Sequence, residues 1–386
     1  MIVIPPLNTD LAYTGTSPVY VLTAWADATY YAKNTTRRYE VGSVWYDYIC
    51  RVSHTSNTTW KTPTSTYYWT QTGRSATSGG YTYTTNVRHS NSAAWVSGAA
   101  VTQFSVVYDE ASHRDYQATV AISTGDNTIR PSDAVLSTTE AVAARWVDMG
   151  GANAFAPFDT EISSKLLGYD DAGSIVNPTF TFTATTGPTA ADHLFFAGLV
   201  NVKTISAAIS VDGTLQQTVT ADPSANSKWD IMQSTAILPF TSVAAGKELS
   251  IAVTLTRNTS AIVPECGTCG VGLAYELAHT EWGVETSILI FSRQERNETY
   301  GTVKFLKRGS ARTARATCFI DTASISGDHV QMLLQRLSGQ PLMLDFNNTG
   351  AAYDRLRIFG FFTNVRSGIQ AASYESLAMD VEGLVE

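Results

Sequence analysis

The sequence predicts a mainly β, multidomain protein, with small aromatic-rich modules near the N-terminus, a central antiparallel β-sandwich and a C-terminal α+β domain with one amphipathic helix. Three observations predict it. From Trp25 to about Gly150, Tyr, Trp, Thr and Ser dominate and are broken by polar clusters such as Thr77-Ser78-Gly79-Gly80, a pattern of short strands closed by turns. Beyond Phe158, apolar and polar residues alternate with a period of two, which marks half-buried strands of an antiparallel sheet. Near the C-terminus one segment switches to helical spacing. A chain of 386 residues also exceeds what one core fills, so about two to four domains are expected.

In chain order, residues 1–24 contain three prolines and scattered apolar residues, and read as an arm that docks on a partner or on the body. Residues 25–75 form a first aromatic module and residues 95–160 a second. The two resemble each other: Tyr46-x-Tyr48, Val52, Asn57, Pro63, Trp69 and Gly73 recur in order as Tyr108, Tyr116, Val120, Asn127, Pro131, Trp146 and Gly150. An insertion before Trp146 accounts for most of the difference in spacing, and a kept order of this kind argues for a repeated architecture.

A sandwich follows over residues 165–285. Phe180, Phe182 and Ala184 are separated by threonines, and Leu249, Ile251, Val253 and Leu255 by Ser250, Ala252 and Thr254, while Asp212-Gly213 supplies a hairpin turn. Residues 286–386 form the α+β domain. There Ala314, Ala316, Cys318 and Ile320 alternate with polar or aromatic neighbours, and Val330, Leu333, Leu334 and Leu337 place an amphipathic helix over Asp328–Leu337, stopped by Gly339-x-Pro341. Leu356, Ile358, Phe359, Phe361 and Phe362 predict a strand buried on both faces.

Charge and composition exclude several roles. A net charge of −8 disfavours specific nucleic-acid binding, which needs a basic footprint. No apolar stretch approaches the ~20 residues of a membrane helix, so no membrane insertion is expected. The opening Met1-Ile2-Val3-Ile4-Pro5-Pro6 lacks the basic region of a secretory signal, which predicts synthesis in a cytoplasm. Phosphate-binding glycine loops, zinc-protease helices and the nucleophile elbow are missing, and the six histidines are dispersed, so no enzyme is predicted.

Ser292-Arg293-Gln294-x-Arg296, Tyr300-Gly301 and Phe305-Leu306-Lys307-Arg308 resemble the C-terminal region of structural proteins encoded beside tail-tip genes in phages and prophages. Leu334, Arg336, Pro341-Leu342, Arg357 to Phe361 and Leu377 to Leu384 extend the likeness. Trp146-Val147-Asp148-Met149-Gly150-Gly151-Ala152-Asn153, followed by Phe158-Asp159, looks like a further recurrent tail pattern. The resemblance implies a virion protein of the tail tip or baseplate. It implies assembly as a symmetric homo-oligomer of three or six copies, with tube, hub or fibre proteins as partners.

The first module, with Val41-Gly42-Ser43-Val44, Tyr46, Asn57, Pro63 and Trp69, is similar to small chitin- and cellulose-binding modules. That likeness implies a compact three-stranded unit and host-surface polysaccharide as a ligand. The second repeat departs from it by lacking the Gly-x-x-Val start. Aromatic rings suit sugars because pyranose C–H faces are apolar, which makes Trp45, Trp60, Tyr67 and Trp69 the carbohydrate-binding candidates. Trp69 is the more structural of these, and Trp60 and Tyr67, beside Pro63, are the better platform.

Two further constellations remain. Cys266-Gly-Thr-Cys269 has the tight turn of a metal knuckle or a short-loop disulfide, yet no second pair exists, so a metal would need Cys318, His279 or a neighbouring subunit; two buried free thiols are the alternative. No other cofactor is expected. Arg293, Arg296, Lys304, Lys307, Arg308, Arg312 and Arg315 form a basic run that fits an oligomer face, with Arg293, Arg296, Lys307 and Arg308 as the interface candidates; contact with nucleic acid in a DNA channel is the alternative. The competing functional class is a polysaccharide depolymerase with accessory binding modules, since a glycosidase needs only two carboxylates within roughly 5–10 Å.

Overall fold

The computed structural model describes all residues except 7–24, 32–35, 42–43, 51, 59–61, 64, 66–67, 75–83, 89, 110–111, 113, 136, 138, 159–161, 186–189, 225–232, 278, 281–283, 298–301, 307–308, 322–325, 347–353, 372–373 and 385–386. Strands take up 52% of the structure and helices 9%, so the protein is mainly β with several sheets, as the alternation predicts.

In the first aromatic module, Val44–Cys50 is the central strand of three, antiparallel to Thr36–Val41 and Trp69–Arg74. The second module repeats this arrangement. Arg114–Ala118 is central, between Val106–Asp109 and Trp146–Gly151, with the short Ala93–Ala94 added at the edge. The register agrees too. Trp69 stands opposite Cys50 and Trp146 opposite Ala118, each two residues beyond a buried tyrosine, Tyr48 or Tyr116. The extra length before Trp146 folds into two short helices, Pro131–Val135 and Glu140–Ala143. Asn127 is buried in this module, where its side chain accepts from Trp95 Nε1 at 2.8 Å and donates to the carbonyls of Val96 and Ala99.

The motif from Trp146 to Asn153 has a structural reason. Trp146 fills the module core, Gly150 adopts φ +98°, and the buried Asn153 ties down three backbone groups of neighbouring segments. It donates to the carbonyls of Arg88 and Leu167 and accepts from the Leu167 N–H at 2.7 Å. Phe158 then packs edge-on to Phe180 of the sandwich, with ring centroids 5.9 Å apart. Asp159 lies outside the described residues.

The sandwich has one sheet ordered Thr214–Ala221, Val202–Val211, Glu248–Arg257, Thr179–Thr185 and Thr84–Thr85. The facing sheet is ordered Thr235–Val243, Ala191–Ala197 and Thr268–Gly272. Phe180, Phe182, Ile209, Ile251 and Val253 meet Leu194, Phe196, Leu238 and Val271 in one core. The Val202–Val211 and Thr214–Ala221 hairpin turns on Asp212 (φ +48°) and Gly213 (φ +80°), the left-handed pair that the Asp-Gly dipeptide favours.

The C-terminal body is an antiparallel sheet ordered Tyr275–Glu276, Ile2–Ile4, Leu342–Asp345, Arg357–Ala371, Tyr374–Gly383 and Ser310–Asp321. His279–Thr280 and Glu285–Ile290 share the outer edge of Ser310–Asp321. The helix spans Gly327–Leu337 and covers one face through Val330, Leu334 and Leu337, with Gly339 at φ +77° just past its end. Two differences from the sequence reading stand out. Residues 2–4 of the expected arm form a strand inside this sheet, and Tyr275–Glu276 and His279–Thr280, placed by sequence in the sandwich, pair here as well.

The two bodies also share a core. Phe195 and Ala197 of the sandwich pack against Ile4, Met343 and Phe359 of the C-terminal sheet, and the Phe195 and Phe359 ring centroids are 5.6 Å apart. The three-stranded sheet is therefore buried on both faces, which explains the unbroken apolar run Leu194-Phe195-Phe196-Ala197. Sheet, sheet, sheet and helix form four layers. Among the described residues no helix is long and apolar enough to cross a membrane.

Candidate functional site

The structure treats the three sequence candidates differently. Trp69 is 1% exposed and forms the core of the first module with Tyr31, Tyr48 and Cys50, so it cannot stack on a sugar and is withdrawn as a binding residue. Trp45 is placed by its backbone on the central strand opposite Glu40, while Trp60 and Tyr67 lie outside the described residues. A ring the sequence reading did not single out is presented instead. Tyr30 is 66% exposed, whereas its strand neighbour Tyr31 is buried. Adjacent strand residues face opposite sides, so one ring of the pair is buried and the other exposed, and the Tyr-Tyr dipeptide carries no mark of which.

Cys266 and Cys269 belong to the sandwich core, and Cys318 to the separate core beneath the helix, so the fold does not bring Cys318 to the pair. All four cysteines are buried thiols outside any disulfide. Burial pushes the Cys266 thiol up to about 12, with Lys165 pulling weakly the other way, and burial also raises Cys269. Both are therefore neutral thiols in the metal-free protein. Among the described residues no group of three or more His, Cys, Asp or Glu side chains converges to hold a metal. The glycine between the cysteines has a packing reason: a Cβ on Gly267 would fall 2.7 Å from the Ile162 carbonyl oxygen. A thiol-specific reagent is expected to label none of the four cysteines in the native protein and all four in denaturant. Rapid native labelling of one or more would contradict this burial.

The basic run divides. Arg293 is exposed at the start of Arg293–Asn297, which pairs with Thr302–Leu306 as a separate two-stranded ribbon; Arg296 is placed by its backbone on the same strand, and Lys307 and Arg308 lie outside the described residues. Two other members of the run are engaged within the chain. Arg315 contacts Asp380 at 2.7 Å and holds that exposed carboxyl below its usual range, chiefly by hydrogen bonding, while Arg312 donates to Ser234 Oγ at 2.7 Å.

The segment just before this ribbon is the most unusual surface of the molecule. All six residues of Glu285–Ile290 are exposed although the strand pairs with Ser310–Asp321, and Ile288 (64%), Leu289, Ile290 (71%) and Phe291 form a contiguous apolar row. Among the described residues its outer edge pairs with no strand. Four consecutive apolar residues on an open sheet edge are a template for strand or side-chain association, and proteins normally blunt such edges.

A second feature lies in the same body. Between the helix and the sheet is an open groove of about 430 Å³. Its floor includes Ile320, Leu334, Phe362 and Leu377, and its rim carries the amides of Gln331 and Gln335. Fold and surface together define a class: a multi-layered β protein with an uncovered apolar edge strand and an apolar-floored groove. Comparison with known protein families, with curated proteins and with solved structures gives no match.

Proposed function

We propose that this protein is a structural subunit of a phage tail tip or baseplate, built to assemble with copies of itself in a closed symmetric ring and with other tail proteins. The observation that carries the assembly reading is the exposed strand Glu285–Ile290 with its row of isoleucine, leucine and phenylalanine. Such a row is an aggregation site in a protein that works alone and an interface in one that works in an assembly. The tail assignment is supported by the sequence resemblance, whose motif segments include the ribbon directly after this strand. Host-surface polysaccharide is the proposed ligand of the first aromatic module, with the exposed Tyr30 as a stacking ring.

The purified protein is expected to form a single closed oligomer by light scattering, and its peptides are expected in the mass spectrum of purified virions. A protein that stays monomeric at high concentration and is absent from virions defeats the proposal. For the glycan contact, an array of host polysaccharides is expected to show binding that falls in Tyr30→Ala.

A further inference from the structure

We infer that the edge strand Glu285–Ile290 of one copy docks into the helix–sheet groove of the next copy. The inference deepens the assembly reading above and rests on it, by naming what covers the exposed strand. The occupant follows from chemistry and placement in this one chain. The groove has an apolar floor of Ile320, Leu334, Phe362 and Leu377, which suits the isoleucine side chains of the strand. Its volume of about 430 Å³ accommodates a few side chains rather than a domain. The open strand edge also carries backbone N–H and C=O groups that need polar partners. Gln331 and Gln335 on the helix, with Ser367 on the sheet, supply donors and acceptors at the rim.

Placement excludes self-docking. Ile290 stands opposite Ser310 at one end of the twelve-residue strand Ser310–Asp321, and Ile320 enters the groove at the other end. At ~3.3 Å per residue the two sites are roughly 33 Å apart along a rigid strand. The strand of one molecule therefore reaches only another molecule's groove. Thr286 is opposite Ala314 and Ile288 opposite Arg312, so Ile288 and Ile290 continue the sheet face that bears Ala314, Ala316 and Cys318. That is the face the helix covers, and both halves of the contact thus lie on one side of the sheet. Two different patches, one donating and one receiving, make a head-to-tail contact, which closes into a ring when the rotation between copies permits.

Charge agrees with this orientation. Residues 293–312 carry six basic and two acidic side chains, a net +4 in a chain of net −8, which leaves −12 on the remainder. Asp328 is exposed beside Gly327 at the groove, and the Glu375 carboxylate lies against Gly327 itself. Arg293, exposed at the start of the ribbon that follows the donating strand, thus has acidic counterparts in Asp328 and Glu375 on the receiving side, while Arg336 sits on the last turn of the helix, at the opposite end from Gly327.

The test uses the full chain and two double variants at exposed positions. Ile288→Asp/Ile290→Asp removes the donating strand's apolar character, and Gln331→Trp/Gln335→Trp fills the groove. Each alone is expected to weaken self-association at least ~30-fold, as for loss of an interface hot spot, with unchanged circular dichroism. Mixing the two is expected to restore a one-to-one heterodimer, because one partner keeps its strand and the other its groove. A mixture that stays monomeric, or a wild-type oligomer undisturbed in both variants, overturns the strand-in-groove contact while leaving the assembly reading standing. A wild-type protein that is monomeric at every concentration overturns both. As a second measurement, Ile290→Cys protein mixed with Gln331→Cys protein is expected to form an interchain disulfide on oxidation, against a low background because the native cysteines are buried. No interchain bond counts against the contact.

Discussion

Phe195→Ala is expected to lower the stability of the sandwich and the C-terminal body together, by about 3–5 kcal/mol, the usual range for deleting a buried phenylalanine. The side chain is 1% exposed and stands between two sheets rather than within one. On one side it meets Phe359, with ring centroids 5.6 Å apart, and on the other it packs over Gly270. A Cβ on Gly270 would collide with Phe195 Cζ, so the glycine is what makes room for the ring. Neither neighbour can move in to fill the gap: Phe359 belongs to a strand hydrogen-bonded on both sides, and Gly270 has no side chain. The cavity therefore stays open, which puts the cost toward the top of the range. Urea unfolding followed by fluorescence and by hydrogen exchange checks it. One transition that shifts for both bodies is the expected result. A shift confined to the sandwich, with the C-terminal sheet protected as in wild type, would show that the shared core does not couple them.

That shared core marks where sequence reading stops. The alternation in Val202–Val211 and Glu248–Arg257 is local, so it reveals these strands, and the Asp212-Gly213 turn between neighbours is equally legible. The helix follows from the spacing of Val330, Leu334 and Leu337 with Gly339 after them. Ile2–Ile4 is different. Its partners are Tyr275–Glu276 and Leu342–Asp345, hundreds of residues away, and three apolar residues carry no mark of which distant strands they join. For the same reason the boundary near residue 285 looks clean in sequence although Phe195 and Phe359 pack across it.

The candidate site shows the same limit with the opposite sign. Ile288 to Phe291 is a continuous apolar run, the usual signature of a strand buried on both faces. Here it is exposed on both faces of the sheet, at the outer edge of Ser310–Asp321. Composition gives the strand, and only placement shows that it is uncovered. At Cys266-Gly-Thr-Cys269 the glycine and the paired sulfurs suggest a knuckle, whereas the chain runs as strands Glu265–Cys266 and Thr268–Gly272 broken only at Gly267, which packs closely against Ile162.

The aromatic module offers the second large effect, and it separates a structural ring from a binding ring. The core of this module consists of Tyr31, Tyr48, Cys50 and Trp69, flanked by Trp25, Tyr39 and Tyr68. Trp69 is in edge contact with Tyr31 (5.2 Å between ring centroids) and with His54 (5.3 Å), so two rings lean on it, and Tyr68 packs in turn on His54. Trp69→Ala removes about 3–5 kcal/mol. A scaffold below ~70–80 residues rarely has more than ~3–5 kcal/mol to lose. The module is therefore expected to unfold as a unit while the sandwich persists. Limited proteolysis reads this directly, as cleavage confined to residues 25–75 with a resistant C-terminal fragment. Tyr30→Ala, at a surface position, is expected to change stability by no more than ~0.5 kcal/mol and to leave the proteolytic pattern intact. If glycan binding is lost in both variants, only the tyrosine result speaks for contact with sugar, because the tryptophan result follows from unfolding. A Trp69→Ala protein as protease-resistant as wild type would instead return that ring to the list of binding candidates.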